Sequence, residues 1–400
     1  MEKNAVIGVG IDIGKHKHTA VLRSGEGQVL CPPLHLDDTK ESIERLLEQI
    51  HQAQQAIGED AKVTINMEAT GVFHIPLFSA LSPFGRVILW QPRQAKEATK
   101  KNIHRSKTDK RDAGNLALLH NDHKLTPPST TYDVVTLVGA RELVRVFYVL
   151  KDTKVNLSRR WTQEAFLVNP ALDSLMSPST LTARRLLDAV PTPDDIISKG
   201  EVGIAPLLKS FGRRARVSAK DIVSAAENTL RAPAHEAAAT FALRPLRKAV
   251  DCLEEQMKEV EGELWAYWEQ VRQDTVIQTY PGMGWFRALA LHAEFGGLRR
   301  FSSGDAAVSF AGLENHVYHS GEKKVDGGMT KAGSPIIRRV LWGLLSSPTV
   351  SIPRISAFIE LKKGQGKHHS EAIHAASKKV LRTLWAMDHS MTRYRYPISK

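Results

Sequence analysis

The chain has 400 residues, of which 42 % are hydrophobic, and its 55 Lys and Arg outnumber its 43 Asp and Glu. This composition excludes a disordered protein, because it provides enough apolar side chains for two or three folded domains. No apolar run reaches the roughly 20 residues that a membrane span requires, and the N-terminus lacks the pattern of a signal peptide. We therefore expect a cytoplasmic protein with no membrane partner.

The first motif is an apolar strand, predicted over residues 5–13, that carries one carboxylate near its end, Asp12. A buried carboxylate is costly unless a cation or hydrogen-bond donors lie close to it. A second strand is predicted over residues 18–23. Two folds begin in this way. In the ribonuclease H-like fold the Asp binds Mg²⁺ together with other carboxylates, whereas in the actin and sugar-kinase fold the turn wraps a nucleotide phosphate.

The next elements alternate between strand and helix. A strand over residues 61–66 leads to Glu68, so a second carboxylate lies at a strand end. This alternation is typical of an α/β domain with a mixed sheet. The other elements are predicted as strands over residues 28–35 and 86–90 and as helices over residues 39–57, 72–81 and 93–101.

A third acidic motif opens a helix at about residue 109. Thr108 or Asp109 is expected to cap this helix, and Asp109 and Asp112 are three residues apart, so they share one face. One interpretation is that the helix dipole favours Asp in a first turn. The other is that these two side chains join Asp12 and Glu68 around a divalent metal, since four converging carboxylates otherwise repel one another.

The middle of the chain is predicted to be helical, after a break near residues 125–128. Two seams of apolar residues there step by four and three, which is typical of long paired helices. The pairing could lie within one chain or form a dimer contact. The seams are Leu143, Phe147, Leu150, Lys154 and Leu157, and then Leu246, Val250, Leu253, Met257, Val260 and Leu264.

The last third is strongly basic, with 18 Lys and Arg against 8 Asp and Glu over residues 275–400. Such a bias indicates a polyanionic partner, most often nucleic acid. Residues 281–284 read Pro-Gly-Met-Gly, which resembles a helix-hairpin-helix turn whose backbone N–H groups bind phosphate. Further on, Ser320 lies on a Gly-flanked turn with basic residues after it.

Taken in order, these motifs resemble those of insertion-sequence transposases of the DEDD type, which are understood as bridge-RNA-guided serine recombinases. The resemblance covers roughly residues 5–120 and 275–345. The motifs are Gly10-Ile11-Asp12, Glu68-Ala69-Thr70-Gly71, Lys107-Thr108-Asp109 with Asp112-Ala113, Pro281-Gly282-Met283-Gly284, Phe310-Ala311-Gly312-Leu313, Tyr318-His319-Ser320-Gly321 and Lys331-Ala332-Gly333 followed by Arg338-Arg339.

The resemblance implies a RuvC-like α/β domain over residues 1–125, a helical coiled-coil region over 126–274 and a mainly α transposase domain over 275–400. It implies that Asp12, Glu68, Asp109 and Asp112 bind Mg²⁺ and that Ser320 is the nucleophile of DNA strand exchange. The implied partners are donor and target DNA, a bridge RNA and further copies in a homodimer or tetramer, in the bacterial nucleoid. The residues expected to bind nucleic acid are Lys107, Gly282, Gly284, Lys323, Lys324, Lys331, Arg338 and Arg339.

Four alternatives use parts of the same evidence. A RuvC-like nuclease or Holliday junction resolvase would use water as the nucleophile, and a site-specific DNA invertase would share the strand exchange. An actin-type ATPase would need an apolar strand before residues 326–328, where the chain instead carries Glu322, Lys323 and Lys324. A non-enzymatic nucleic-acid scaffold leaves the clustered carboxylates unexplained.

Overall fold

The structure is a computed structural model that describes residues 6–68, 71–90, 95, 108–119, 135–211, 217–320, 323–329, 333–347 and 352–395. Residues 135–136, 315–320 and 323–328 are described by their backbone alone. The chain divides into two compact units, Met1–Asp133 and Val134–Lys400. The division into three domains that the sequence predicts stays a prediction.

The N-terminal unit is built on a five-stranded mixed sheet, as the sequence predicts. Its order is β3-β2-β1-β4-β5, with β2 antiparallel to β1 and β3, and with β4 and β5 parallel to β1. This topology is consistent with a ribonuclease H-like domain. The strands are β1 (Val6–Ile13), β2 (His18–Ser24), β3 (Leu34–Leu36), β4 (Lys62–Glu68) and β5 (Arg86–Trp90).

Helices cover both faces of this sheet. Helices α1 (Lys40–Ile57) and α2 (His74–Leu81) bury their apolar residues on one face, against odd-numbered residues such as Ile11 and Met67. Helix α3 (Asp109–Ala117) contacts the other face. The predicted third strand is shorter than expected, because Pro32 and Pro33 cannot donate to a sheet. The helix predicted over residues 93–101 lies outside the described residues except for Ala95, which is helical.

The C-terminal unit contains two long helices, α4 (Val135–Val168) and a later one, Pro233–Val271. They are antiparallel, because Gly139 lies against Tyr267 while Lys154 Nζ lies 2.9 Å from Glu254 Oε1. The two heptad-like seams therefore belong to helices that pack together within one chain. Val250 and Leu264 are buried in this packing. The coiled coil as a separate structure is not confirmed.

Between the long helices lie α5 (Pro170–Leu175), α6 (Leu181–Ala189), α7 (Pro193–Ser210) and α8 (Ala219–Glu227), so the Pro233–Val271 helix is α9. These short helices share a core that includes Leu186, Ile196 and Ile222. Ser218 caps α8 and forms a reciprocal capping box with Asp221, which explains why this helix starts there.

The last third contains α10 (Gly284–Phe295), α11 (Gly304–Phe310), a hairpin of β6 (Asn315–Ser320) and β7 (Lys323–Met329), α12 (Pro335–Leu345), α13 (Pro353–Gly364) and α14 (His369–His389). Its core continues into α4 and α9, so the middle and the last third form one unit. In the described part of the chain, no helix combines the length and apolar character needed to cross a membrane.

Candidate functional site

One face of the N-terminal sheet carries polar residues at the C-terminal ends of β1 and β4, beside a small apolar cluster that includes Ile88 and Trp90. We call it the acidic face and define it by even-numbered residues of β1, β4 and β5. Strand residues alternate between faces, and the apolar core on the opposite face is formed by odd-numbered residues of the same strands. The acidic face consists of Gly10, Asp12, Asn66, Glu68, Ile88 and Trp90.

Asp12 and Glu68 are neighbours on this face. The parallel register pairs Ile11 with Met67, so the residues that follow, Asp12 and Glu68, lie at the same level on adjacent strands. Adjacent strands are about 4.8 Å apart, which places the two carboxylates side by side at the C-terminal ends of their strands. Both residues are half-buried. The structure therefore brings together the two strand-end carboxylates that the sequence predicts.

Two further residues of the acidic face were missed by the sequence analysis. Asn66 is fully buried, and its Oδ1 accepts a hydrogen bond of 2.9 Å from Nε1 of Trp90. Trp90 lies beside Glu68 in the register. The two-residue spacing from Asn66 to Glu68 was the available signal, because it predicts a shared face. This hydrogen bond holds the side chains of Asn66 and Trp90 in place next to the carboxylates.

Helix α3 packs directly on the acidic face at Gly10. A Cβ atom on Gly10 would overlap backbone atoms of Ala113 and Ala117, so only glycine permits this approach. The far end of α3 lies near Gly27, beside the start of β1, since a Cβ atom there would lie 3.4 Å from Leu118. Helix α3 therefore runs antiparallel to β1, and its first turn lies toward Asp12.

The first turn of α3 carries the other two predicted carboxylates. Thr108 caps the helix by accepting a hydrogen bond from the Arg111 N–H, which confirms the predicted cap. Asp109 is exposed and Asp112 is half-buried. The positive end of the helix dipole also lies at this turn, which favours negative charge there. The topology thus gathers the N-terminus of α3 and the ends of β1 and β4 on one side of the sheet.

Carboxylate oxygens are the ligands that Mg²⁺ prefers, so the donor chemistry of these four residues fits that ion. Within the described ranges, however, no group of three or more His, Cys, Asp or Glu side chains is arranged to hold a metal. The structure pairs Asp12 with Glu68 and aims the first turn of α3 toward them.

Ser320, the predicted nucleophile, lies in the C-terminal unit as the last residue of β6. Its register partner is Lys323, the first residue of β7, and His319 pairs with Lys324. The sequence predicts only a turn here, whereas the structure has a strand on each side of it. The two strands explain the placement, because antiparallel pairing fixes the backbone of Ser320 immediately before the hairpin connection.

Arg338 connects two of the sequence motifs within this unit. Its guanidinium donates to the carbonyl oxygens of Ala311, at 3.1 Å, and of Gly333, at 2.6 Å. Gly333 packs so closely on the backbone of Phe310 and Ala311 that no larger residue fits. Burial lowers the pKa of Arg338. The predicted contact between this residue and nucleic acid stays a prediction, and the structure gives its guanidinium an internal role.

Arg339 joins α12 to α4. It forms two hydrogen bonds to the Asp152 carboxylate, at 2.8 and 2.6 Å, and its guanidinium lies 4.5 Å from the centre of the Tyr148 ring. The hydrogen bonds from Arg339 lower the pKa of Asp152. Arg339 remains partly exposed, so its assignment to nucleic acid also stays a prediction.

The Pro281–Gly284 turn lies between a 3₁₀ turn, Ile277–Thr279, and α10. Gly282 and Gly284 have φ values of 73° and 58°, a conformation that favours glycine. Arg287 donates to the Gly282 carbonyl oxygen and holds the turn against α10. Of the other predicted nucleic-acid ligands, Lys107 and Lys331 lie outside the described residues, and Lys323 and Lys324 are described by their backbone in β7.

Two family models match this chain. The model of the DEDD transposase domain of IS110 elements, described as a transposase, matches residues 9–163 and so includes the four carboxylates. The model described as the transposase IS116/IS110/IS902 family matches residues 274–359 and includes Ser320. Together the matches cover more than half of the sequence. The chain belongs to the IS110 family of insertion-sequence transposases.

A relative supports this conclusion along the whole chain. The transposase is 26 % identical over 402 residues to a Mycobacterium paratuberculosis protein described as the insertion element IS900 uncharacterized 42 kDa protein, and the alignment covers 96 % of each chain. The part between the two family matches, residues 164–273, therefore also has a counterpart in the relative. These similarities indicate a DNA-processing enzyme and do not favour a junction resolvase or an invertase.

Proposed function

We propose that this transposase performs Mg²⁺-dependent DNA strand exchange through a covalent bond between DNA and Ser320. The observation that supports the proposal most is the acidic face, where Asp12 and Glu68 lie at the same level on adjacent strands beneath the first turn of α3. Two carboxylates side by side repel each other unless positive charge or hydrogen-bond donors lie close to them, and a shared Mg²⁺ would supply such charge.

In this proposal Asp12, Glu68, Asp109 and Asp112 hold the metal. Bound there, Mg²⁺ would polarise a phosphate and stabilise negative charge on oxygen. The chain itself contributes the oxygen ligands and the first turn of α3, whose N–H groups carry partial positive charge that offsets the negative charge of the carboxylates. Asn66 and Trp90 form a packed wall beside them. The low solvent access of that wall strengthens electrostatic interactions on the face.

Ser320 supplies the attacking oxygen. A bond forms between its Oγ and a DNA phosphorus, and the bond from that phosphorus to one bridging oxygen of the strand breaks. The hydroxyl proton leaves to water, and the departing oxygen takes up a proton. The phosphodiester energy is retained in the serine ester, so a second DNA end can reverse the step and rejoin the strand. The serine hydroxyl is a weak nucleophile by itself, which is why the proposal pairs it with metal-held charge.

The partners of this transposase are inferred from its family and from the positive charge of the last third of the chain. Transposition requires DNA, and the excess of Lys and Arg in the last third suits contacts to phosphate. We assign such contacts to Gly282, Gly284, Lys323 and Lys324, with Lys107 and Lys331. Basic side chains position a backbone without reading its sequence. Guidance by a bridge RNA and assembly into a dimer or tetramer complete the proposal and rest on the resemblance to the family.

The deciding experiment is a denaturing gel of the protein mixed with donor DNA, Mg²⁺ and co-expressed RNA. Wild-type protein should give a covalent protein–DNA band. Ser320→Ala should bind DNA normally, because one hydroxyl contributes little beside many phosphate contacts, yet give neither the band nor cleavage. Ser309→Ala is the matched control, since Ser309 is an exposed serine of the same unit. If Ser320→Ala cuts DNA at the wild-type rate, water is the nucleophile and the junction resolvase becomes the better description.

A further inference from the structure

A cavity of about 700 Å³ lies in the C-terminal unit, beside the Pro281–Gly284 turn. Two parts of the chain line it: the stretch that runs from the end of α9 to the start of α10, and the residues after α14. Its size is in the range of pockets that hold small organic ligands. No motif from the sequence accounts for it, and neither the carboxylates nor Ser320 line it.

The walls of the cavity are fixed by buried contacts. Asp388 is fully buried at the end of α14, and its Oδ1 accepts hydrogen bonds from Thr275 Oγ1, at 2.6 Å, and from the Val276 N–H, at 3.2 Å. The Tyr394 N–H donates to Thr279 Oγ1 at 3.0 Å, and the Tyr394 ring packs edge-on against Tyr280. The segment after α14 is therefore anchored to the turn after α9, so the cavity is preformed.

The side chains that line the cavity combine flat apolar surfaces with positive charge. Trp268 and Trp285 contribute indole rings, and Met391 adds a thioether. Trp285 is held in place by an edge-on contact with Trp265, with ring centres 5.0 Å apart. Met391 has φ 49°, a positive value otherwise found only at glycines among the described residues. Met391 is the left-handed residue that ends α14, where the Thr392 N–H donates to the Met387 carbonyl oxygen, so this helix cap fixes the backbone of Met391 beside the cavity.

Two guanidinium groups complete the lining. Arg272 forms an ion pair with Glu269 at 3.2 Å and is half exposed. Arg393 is exposed, and its side chain forms no ion pair with any residue that the structure describes. A ring system that stacks on indole and carries negative charge matches this set of groups. Nucleotides have both properties, because every base has a π-face and every phosphate pairs with arginine.

We propose that this cavity binds one unpaired nucleotide of a nucleic-acid strand, with its base against Trp285 and Met391 and its phosphate at Arg393 and Arg272. A base inside a duplex is stacked on both sides and cannot enter such a pocket without leaving the helix. The cavity therefore selects single-stranded or distorted segments, which strand exchange exposes. This inference rests on the proposed function, because it identifies a nucleic-acid feature that the same transposase would recognise.

The test uses the full-length protein and fluorescence anisotropy. The probes are a labelled oligodeoxythymidine, an oligouridine of the same length and a DNA duplex of the same length. Both single strands should bind more tightly than the duplex once salt has weakened the phosphate contacts. Trp285→Leu should weaken single-strand binding by about ten-fold, since stacking on one aromatic side chain is worth roughly that factor or more. Duplex binding should change by less than about two-fold.

Arg393→Gln is the second variant, and because Arg393 is exposed the substitution should leave the fold intact. It should weaken single-strand binding and reduce the salt slope by about one. The matched controls are Phe241→Leu, an exposed aromatic residue of α9, and Arg354→Gln, an exposed arginine of α13, neither of which lines the cavity. Both controls should bind like the wild type.

Equal affinity of the wild type for single strands and for the duplex would overturn the inference. Wild-type affinity for single strands in both Trp285→Leu and Arg393→Gln would also overturn it. If Trp285→Leu weakens the binding of only the DNA strand or only the RNA strand, the proposal holds, and the result identifies which nucleic acid occupies the pocket. The covalent band on the denaturing gel is measured separately. Its presence without single-strand preference removes only the pocket, and its absence with Trp285-dependent binding removes only the proposed chemistry.

Discussion

Replacing Gly10 by alanine tests whether the packing of α3 on the acidic face positions the predicted metal ligands. The new Cβ would overlap the Ala113 carbonyl oxygen and the Ala117 amide nitrogen and would lie 3.0 Å from the Ala113 carbonyl carbon. These are backbone atoms, so they cannot rotate away as the end of a flexible side chain can. Helix α3 must therefore move off β1 and carry Asp109 and Asp112 with it.

Two opposing effects set the magnitude. Alanine is favoured over glycine in a strand by roughly 0.5–1 kcal/mol, because glycine loses more backbone entropy. Overpacking a close contact costs about 1–3 kcal/mol, and the two backbone overlaps argue for the upper part of that range. The cost of the backbone overlap exceeds the gain from alanine, so we expect α3 to be destabilised by about 2 kcal/mol. This destabilisation corresponds to about 30-fold faster amide exchange in that helix.

Hydrogen exchange followed by mass spectrometry measures this effect in the full-length protein. Peptides covering residues 109–119 should exchange faster in Gly10→Ala, while those of α14 should not change. DNA strand exchange should fall with the displacement of the two Asp residues. Gly85→Ala is the matched control, because its Cβ would meet Val63 at an ordinary 3.4 Å and its φ of 176° suits any residue.

Unchanged exchange in residues 109–119 of Gly10→Ala would show that α3 does not press on β1 as described. Slower exchange with intact folding elsewhere would lead to the same conclusion, since the gain from alanine would then exceed the clash. A loss of activity without any change in α3 would place the role of Gly10 elsewhere.

Asp12→Asn and Glu68→Gln should each slow strand exchange by about 100-fold or more, because metal-held charge is worth several kcal/mol, while circular dichroism shows an unchanged melting temperature. Arg338→Gln should lower the free energy of unfolding by about 1–3 kcal/mol, since its charged hydrogen bonds to two carbonyls are lost. Burial lowers the pKa of His292, against the attraction of Asp388 and Asp274. The unfolded chain then binds the extra proton below about pH 6.5, so stability should fall on acidification by at most about 1.4 kcal/mol per pH unit in urea titrations.

The first two predictions have matched controls on the exposed surface. Glu59→Gln should keep full activity, and Arg354→Gln should keep the wild-type stability. His292→Leu should flatten the acid limb of the stability curve. Full activity in both carboxylate variants would remove the metal assignment, and an equally steep acid limb in His292→Leu would place the titrating group elsewhere.

The sequence by itself determined the elements that depend on local patterns. The strand over residues 86–90 and the cap at Thr108 are found as predicted, because alternation and capping involve residues close together in the chain. The third strand is shorter than predicted. The prediction followed the apolar pattern and gave too little weight to Pro32 and Pro33.

The candidate site was predicted in part. Its carboxylates could be named from strand ends and from the three-residue spacing of Asp109 and Asp112, but their neighbours could not. That Asp12 lies level with Glu68 is a matter of register between strands about fifty residues apart, and no local pattern fixes a parallel register across an intervening helix. The same reason explains why Asn66 and Trp90 were missed.

Only the tertiary structure decided how the basic and apolar residues of the C-terminal unit are used. Arg338 and Arg339 look like phosphate ligands in the sequence, yet Arg338 bonds to Ala311 as well as to nearby Gly333, and Arg339 bonds to Asp152. Ala311 and Asp152 lie far from these arginines along the chain. The heptad-like seams allowed either a dimer or an internal pair, and the antiparallel packing of α4 on α9 supplies an internal partner. The periodicity of a sequence shows which side of a helix is apolar. The residues that pack on that side are determined by long-range contacts, which form only when the whole chain has folded.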